Sequence, residues 1–234
     1  MVVTVTLRTL NEAKHIARFC QSYAWADHII IADGGSTDNT LEIAATYKNV
    51  TIYHFDERVE MNGVWRNPEG RHLNFLMDRA QETHPDWIVH DDADSALTIA
   101  LQEEARSIFE KSEAQYILLP RLYIRGTTQW YPRLTGGPQG YLNPDWFGYW
   151  AFRADVGHRW FEANPWSPDH NHMDLGPFKR EYHYPPKALL HYFLIDDEAA
   201  RRKFTLYRAA NMVTPRWFEE LGPLEELPEW ARWS

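Results

Sequence analysis

The stretch His28–Thr40, HIIIADGGSTDNT, decides the architecture. An apolar run of strand length ends on Asp33. Gly34 and Gly35 permit a sharp turn, and Ser36, Thr37 or Asp38 can cap the helix predicted over Thr37–Tyr47. The same alternation continues on both sides. Upstream, Val2–Leu7 is a β-branched run, followed by a helical stretch from Asn11, a plausible cap, to about Tyr23. Downstream come a strand at Val50–His54 and a helix over Glu69–Glu82, with Leu73, Leu76, Met77 and Ala80 at helical spacing. A strand at Trp87–His90, a helix over Leu97–Lys111 and a strand at Tyr116–Leu119 complete the series. Strands separated by helices of this length imply right-handed crossovers and a mainly parallel α/β sheet. Such sheets bind ligands just beyond the carboxyl ends of their strands. The acidic residues fall there: Asp33 ends one strand, and Asp91, Asp92 and Asp94 follow another.

Composition narrows the classes of function. Of 234 residues, 44% are hydrophobic and 24% charged, the proportions of a folded domain rather than a disordered chain. No run approaches the roughly 20 apolar residues of a transmembrane helix, and the opening MVVTVTLRTLNEAKHI lacks the features of a secretory leader, so a cytoplasmic setting is expected. The lone Cys20 fits a reducing compartment and reads as buried packing. With 24 basic against 33 acidic side chains, the net charge of −9 argues against nucleic-acid binding, which needs a basic stripe. Aromatic content is high at 15%, with 11 Trp, which means either a heavy core or a surface that stacks on sugars.

From about Gly126 to Pro186 the texture changes to Gly, Pro, Trp, Tyr, His and Asn, with TGGPQG and PWSPDHNH as loop signals. This segment is expected to cover the open edge of the sheet. An amphipathic helix is predicted over Asp196–Met212, before a Pro-broken acidic tail.

Several groups can carry chemistry. Asp33 either accepts hydrogen bonds from a base or ribose, or merely organises its turn. In WIVHDDADS (residues 87–95), three carboxylates within four positions raise one another's pKa. The repulsion is relieved by a divalent cation or by full solvation, and carboxylate oxygens suit Mg²⁺ and Mn²⁺. Arg71, near the start of a predicted helix, either reaches a pyrophosphate or lies on the helix surface. His191, in the apolar ALLHYFLID, is a core residue or a metal ligand. PDHNHMD holds Asp169, His170, His172 and Asp174 without zinc-site spacing, and reads as a substrate-side loop with Asp169 or Asp174 a candidate base.

Taken in order, VTVTLRTLNEAKHI with its Asn11–Glu12 pair, IIIADGGSTDNT, GRHLNFLMDRA with its G-x-x-x-N, and WIVHDDADS with Asp92–Ala93–Asp94 as a DxD motif resemble the family 2 glycosyltransferases across roughly residues 1–120. The resemblance implies the GT-A fold: a Rossmann-like, mainly parallel sheet flanked by helices. A nucleotide-sugar half (1–125) would continue into an aromatic-rich acceptor-side half (126–234). It further implies a nucleotide-diphosphate sugar donor and a glycan or small-molecule acceptor hydroxyl. By that analogy Arg8, Thr9, Glu12 and Asp33 line the base and ribose pocket, and Arg71 sits near the diphosphate. Asp92 faces the ribose or metal, Asp94 binds Mn²⁺ or Mg²⁺, and His191 is a further metal ligand. Trp130, Trp146, Trp150, Trp160 and Trp166 would hold the acceptor. The chain departs from the family pattern at Leu10, where an aromatic is common, and lacks the E-D pair after the DxD that often supplies the base; Asp174 and Asp169 are the candidates instead. Two other readings are a non-catalytic carbohydrate-binding protein on a transferase fold and a sugar nucleotidyltransferase. The second lacks its usual Gly-rich loop, since the first turn reads RTLNEAK.

Overall fold

A computed structural model describes residues 1–61, 64–132, 142–143, 147–160, 178–192, 205 and 223–232. In chain order the elements are β1 (Val3–Thr9), α1 (Ile16–Ser22), β2 (His28–Asp33), α2 (Thr40–Ala44), β3 (Val50–His54), β4 (Val59–Met61), β5 (Val64–Arg66), α3 (Glu69–Gln81), β6 (Trp87–His90), β7 (Ser95–Leu97) and α4 (Ile99–Lys111). There follow β8 (Tyr116–Leu119), β9 (Arg121–Arg125), β10 (Gln129–Trp130), β11 (Gly148–Arg153), β12 (Arg180–Tyr182), β13 (Leu189–His191) and β14 (Glu225–Glu226).

The large sheet has the order β12-β8-β11-β6-β1-β2-β3. β6, β1, β2 and β3 run parallel, with Val5 opposite both Val89 and Ile29. Side-chain alternation splits its core. Val3, Val5, Leu7, Ile29, Ile31, Trp87 and Val89 pack with residues of α1, α2 and α4 on one face. Ile30, Ala32 and Ile88 pack on the other face with Leu73, Leu76, Met77 and Ala80 of α3, the four residues whose spacing predicts that helix. The mainly parallel α/β architecture is thus the one expected. Cys20 lies in the first core, where burial pushes its thiol up to about 12, as packing requires.

Three features differ from expectation. The first two helices are short. Asn11 adopts a left-handed backbone (φ 58°), and its side-chain oxygen accepts from the Thr37 and Asp38 backbone N–H groups, so it braces the neighbouring turn instead of capping its own helix. Second, β11 lies inside the sheet, antiparallel to both β6 and β8, while β12 occupies the edge. Third, a smaller sheet of order β14-β10-β9-β13-β7 stands beside the large one. All but one residue of the helix expected over Asp196–Met212 lie outside the described residues. Among the described residues no helix is long and apolar enough to cross a membrane.

Candidate functional site

β1, β2 and β6 are neighbours, so the turns after β2 and β6 open side by side at one end of the sheet. In the first turn Asp33 is buried and fully engaged. Its Oδ2 accepts from the Gly35 and Ser36 N–H groups at 2.9 and 2.8 Å. Its Oδ1 accepts from the Ser36 and Thr9 hydroxyls at 2.5 and 3.1 Å. Thr9 therefore lies against Asp33. The Glu12 N–H donates to Thr40 Oγ1 at 2.7 Å, which ties the β1 turn to α2. The glycines are needed for close approach: a Cβ on Gly34 would run into the Asn67 side chain, and Gly35 has φ +96° with Arg58 above it. Arg58 donates to the Gly34 carbonyl at 3.1 Å and the Asn67 side chain lies against Gly34, so residues flanking both ends of the β4–β5 hairpin meet this turn.

The second turn is assembled from afar. Pairing of β13 with β7 sets His191 opposite Ser95, and His191 Nε2 lies 3.5 Å from Asp94 Oδ1. Asp92, Asp94 and His191 each offer a ligand atom within 4.8 Å of the others. Two carboxylate oxygens and an imidazole nitrogen are donor types that hold divalent metal ions. Asp92 lies between two guanidinium groups: Arg8 Nη2 is 3.9 Å from Oδ1, and Arg121 Nη1 is 4.0 Å from Oδ2. Asp91 faces inward. Burial, with the nearby Asp92 charge adding to it, pushes its carboxyl up to about 6 against the opposing pull of Arg121. Burial works against the Arg121 charge, yet Asp91, Tyr123, Asp92 and Asp94 outweigh it and its pKa is raised.

α3 borders the site from its N-terminal turn. Arg8 pairs with Glu69 at 2.5 Å, and Arg71 pairs with Glu57. His72 stacks on Phe55 at 4.3 Å, with its Nε2 2.9 Å from the Ala32 carbonyl. Burial first, then the Arg8 charge, lowers it to about 4, so it is neutral at pH 7.

The structure therefore brings Thr9, Glu12 and Asp33 to the first turn, and Asp92, Asp94 and His191 to the second, where the Arg8 side chain also lies, between Glu69 and Asp92. Arg71 is turned toward Glu57. Asp169 and Asp174 lie outside the described residues, as do Trp146 and Trp166. Trp130 and Trp150 are 1% exposed and belong to the core, which corrects their reading as acceptor-facing residues; Trp160 is only partly buried. Sequence reasoning missed Tyr23, Arg121, Arg58 and Asn67 as parts of the site. It also missed that Asp91 points inward. A signal for Asp91 existed: strand alternation sets it on the face of Trp87 and Val89. Nothing local marks Tyr23 or Arg121, whose partners lie 68 and 30 residues away in the chain.

The fold resembles that of Staphylococcus aureus TarS. The form comprising residues 1–349 with UDP-GlcNAc matches at TM-score 0.58 and 15% identity, over 86% of this chain and 61% of that one. The same form with UDP gives 0.56 and 16%, over 94% and 72%. A further TarS structure gives 0.54 and 15%, over 91% and 43%, so this chain spans well under the full length of those proteins. At such identities the likeness establishes the fold alone. No curated protein matches the chain in sequence. Residues 4–165 do match the description glycosyl transferase family 2, a span that takes in both turns and the body of the large sheet, and on that match the chain belongs to this family.

Proposed function

We propose that the chain transfers a sugar from a nucleotide-diphosphate donor to an acceptor hydroxyl, with Mn²⁺ or Mg²⁺ held by Asp92, Asp94 and His191. The observation that carries this reading is the convergence of those three side chains beside the Asp33 turn, in a chain of this family. Sugar transfer releases a nucleoside diphosphate on which negative charge grows as the anomeric C–O bond breaks. The divalent ion, when bound, supplies Lewis-acid stabilisation of that charge.

The chain's own residues do the rest. Asp92 and Asp94 present carboxylate oxygens just beyond β6, and His191 presents a ring nitrogen from β13. Arg8, already at the Asp92 carboxylate, adds a fixed positive charge where the diphosphate leaves. Arg71 exchanges Glu57 for a phosphate oxygen at the N-terminal turn of α3. Thr9, Glu12 and Asp33 border the base and ribose. Asp33 holds the turn in shape with its four hydrogen bonds and touches the nucleoside through that turn. If the reaction inverts, Asp174 or Asp169 takes the proton of the attacking hydroxyl.

Calorimetric titration of the full chain with UDP, GDP, ADP, CDP and TDP, each with and without Mn²⁺, tests the reading. The TarS complexes make UDP the first to try. One nucleotide is expected to bind, and more tightly with the metal; no binding of any under either condition would sink the proposal. Slow hydrolysis of the matching nucleotide sugar then separates an enzyme from a binding protein.

A further inference from the structure

We propose that Tyr23, Asp91 and Arg121 form a buried positioning network that fixes the orientation of Asp92 toward the divalent cation. The inference rests on the metal-dependent reading above and extends it to residues outside the Asp92, Asp94 and His191 group.

The Asp91 side chain has no solvent exposure, so its carboxylate must find all its partners inside the protein. The Tyr23 hydroxyl donates to Oδ2 at 2.8 Å, and the Asp92 backbone N–H donates to Oδ1 at 2.9 Å. Arg121 Nη2 stands 3.6 Å from Oδ1. The direction of the tyrosine hydrogen bond is forced. Trp150 Nε1–H lies 3.2 Å from the same hydroxyl oxygen, and an indole can only donate. Tyr23 must accept there, which leaves its own proton for Asp91.

Asp91 thus grips the backbone of the residue that follows it. Arg121 spans the two carboxylates, since its other terminal nitrogen faces Asp92 Oδ2 at 4.0 Å. The backbone of Asp92 is held by Asp91, and its side chain stands between Arg121 and Arg8. The Ser95 N–H closes the turn on the Asp92 carbonyl at 3.0 Å, which carries the same constraint forward to Asp94. The anchors come from three separate places: Tyr23 just beyond α1, Trp150 in β11 and Arg121 at the start of β9. A buried charged pair adds little net stability over an apolar one, so the physical product of this arrangement is geometry.

The test is Mn²⁺ affinity of the full chain, measured by calorimetry and by the electron paramagnetic resonance signal of free Mn²⁺, without donor. Tyr23→Phe and Arg121→Lys are each expected to weaken Mn²⁺ binding about tenfold or more, the usual effect of losing a group that orients a ligand. Phe109→Leu serves as the control. Phe109 stacks on Trp150 at a centroid distance of 5.1 Å in the same aromatic core and brings no polar atom to the network. It should lower the melting temperature and leave Mn²⁺ affinity unchanged. Unchanged affinity in both network variants, beside a parent chain that binds Mn²⁺, overturns the proposal and leaves the reading of the site standing. An equal loss in Phe109→Leu also overturns it, because general loosening of the core then suffices. A parent chain that takes up no Mn²⁺ removes the metal reading itself.

Discussion

The turns after β2 and β6 both carry aspartates at the carboxyl end of one sheet, yet they use them in opposite ways. Asp33 spends its carboxylate on its surroundings: three of its four hydrogen bonds come from residues two or three positions on, and the fourth from Thr9 on the adjacent strand. Asp91 takes one hydrogen bond from its own turn, the Asp92 N–H, but the other partners of the aspartates after β6 lie on remote elements. Asp91 meets Tyr23 and Arg121, Asp92 meets Arg8 and Arg121, and Asp94 meets His191. A carboxylate satisfied by its own turn shapes the backbone. A group of carboxylates brought together against their mutual repulsion gathers positive charge, first from arginines and then, on our reading, from a cation.

The contrast can be broken most directly at Asp94. Asp94→Ala should abolish tight Mn²⁺ binding and lower sugar transfer on the order of 100- to 1,000-fold with the fold retained, by steady-state kinetics and circular dichroism. Undiminished turnover in the presence of a chelator would end the metal-dependent scheme. Asp33→Ala should behave in reverse. Loss of four hydrogen bonds to a buried carboxylate is expected to cost about 3 to 4 kcal/mol in denaturant unfolding, with Mn²⁺ affinity unchanged. A large drop in metal affinity there would erase the distinction between the turns.

His72 sharpens the β2 side of the comparison, because it props the Ala32 carbonyl directly beneath the Asp33 turn. Burial lowers its folded pKa from 6.5 to about 4. The unfolded chain takes up a proton as pH falls below 6.5, and the folded chain resists until about 4. Its contribution to stability is therefore complete above pH 6.5 and is lost as pH falls toward 4, by about 3 kcal/mol in total. His72→Gln should flatten the unfolding free energy across that window; an unaltered slope would place the titration elsewhere. The smallest effect is expected at Arg71. Its pair with Glu57 is about 40% exposed on both sides, so Arg71→Ala should change stability by under about 1 kcal/mol while raising the donor KM. A KM that does not move would remove Arg71 from the diphosphate.

Much of this was legible because its causes are local. β2, β3, β6 and β8 coincide with the apolar runs at His28–Asp33, Val50–His54, Trp87–His90 and Tyr116–Leu119, and α3 follows the spacing of Leu73, Leu76, Met77 and Ala80. The short α1 shows where local reasoning stops. Asn11 has the residue type of a helix cap, but the backbone of Thr37 and Asp38, 26 and 27 residues on, claims its side chain. β11 was hidden for a related reason: GYWAFR sits among Gly, Pro and aromatic residues that read as loop, and only the empty slot between β6 and β8 makes it a strand.

For the site, the sequence by itself determined which chemistry is available: aspartates at strand ends, glycines at the turn, and an ordered set of motifs shared with a known family. Those follow from residue type and from spacing along the chain. The tertiary structure alone decided which carboxylates meet. It brought His191 to Asp94 across 97 residues of chain by pairing β13 with β7, turned Asp91 inward to Tyr23, and set Arg121 beneath two acids at once. Direct ion pairs need their charged atoms within about 4 Å, and that proximity is a property of packed sheets, which no local stretch of sequence encodes.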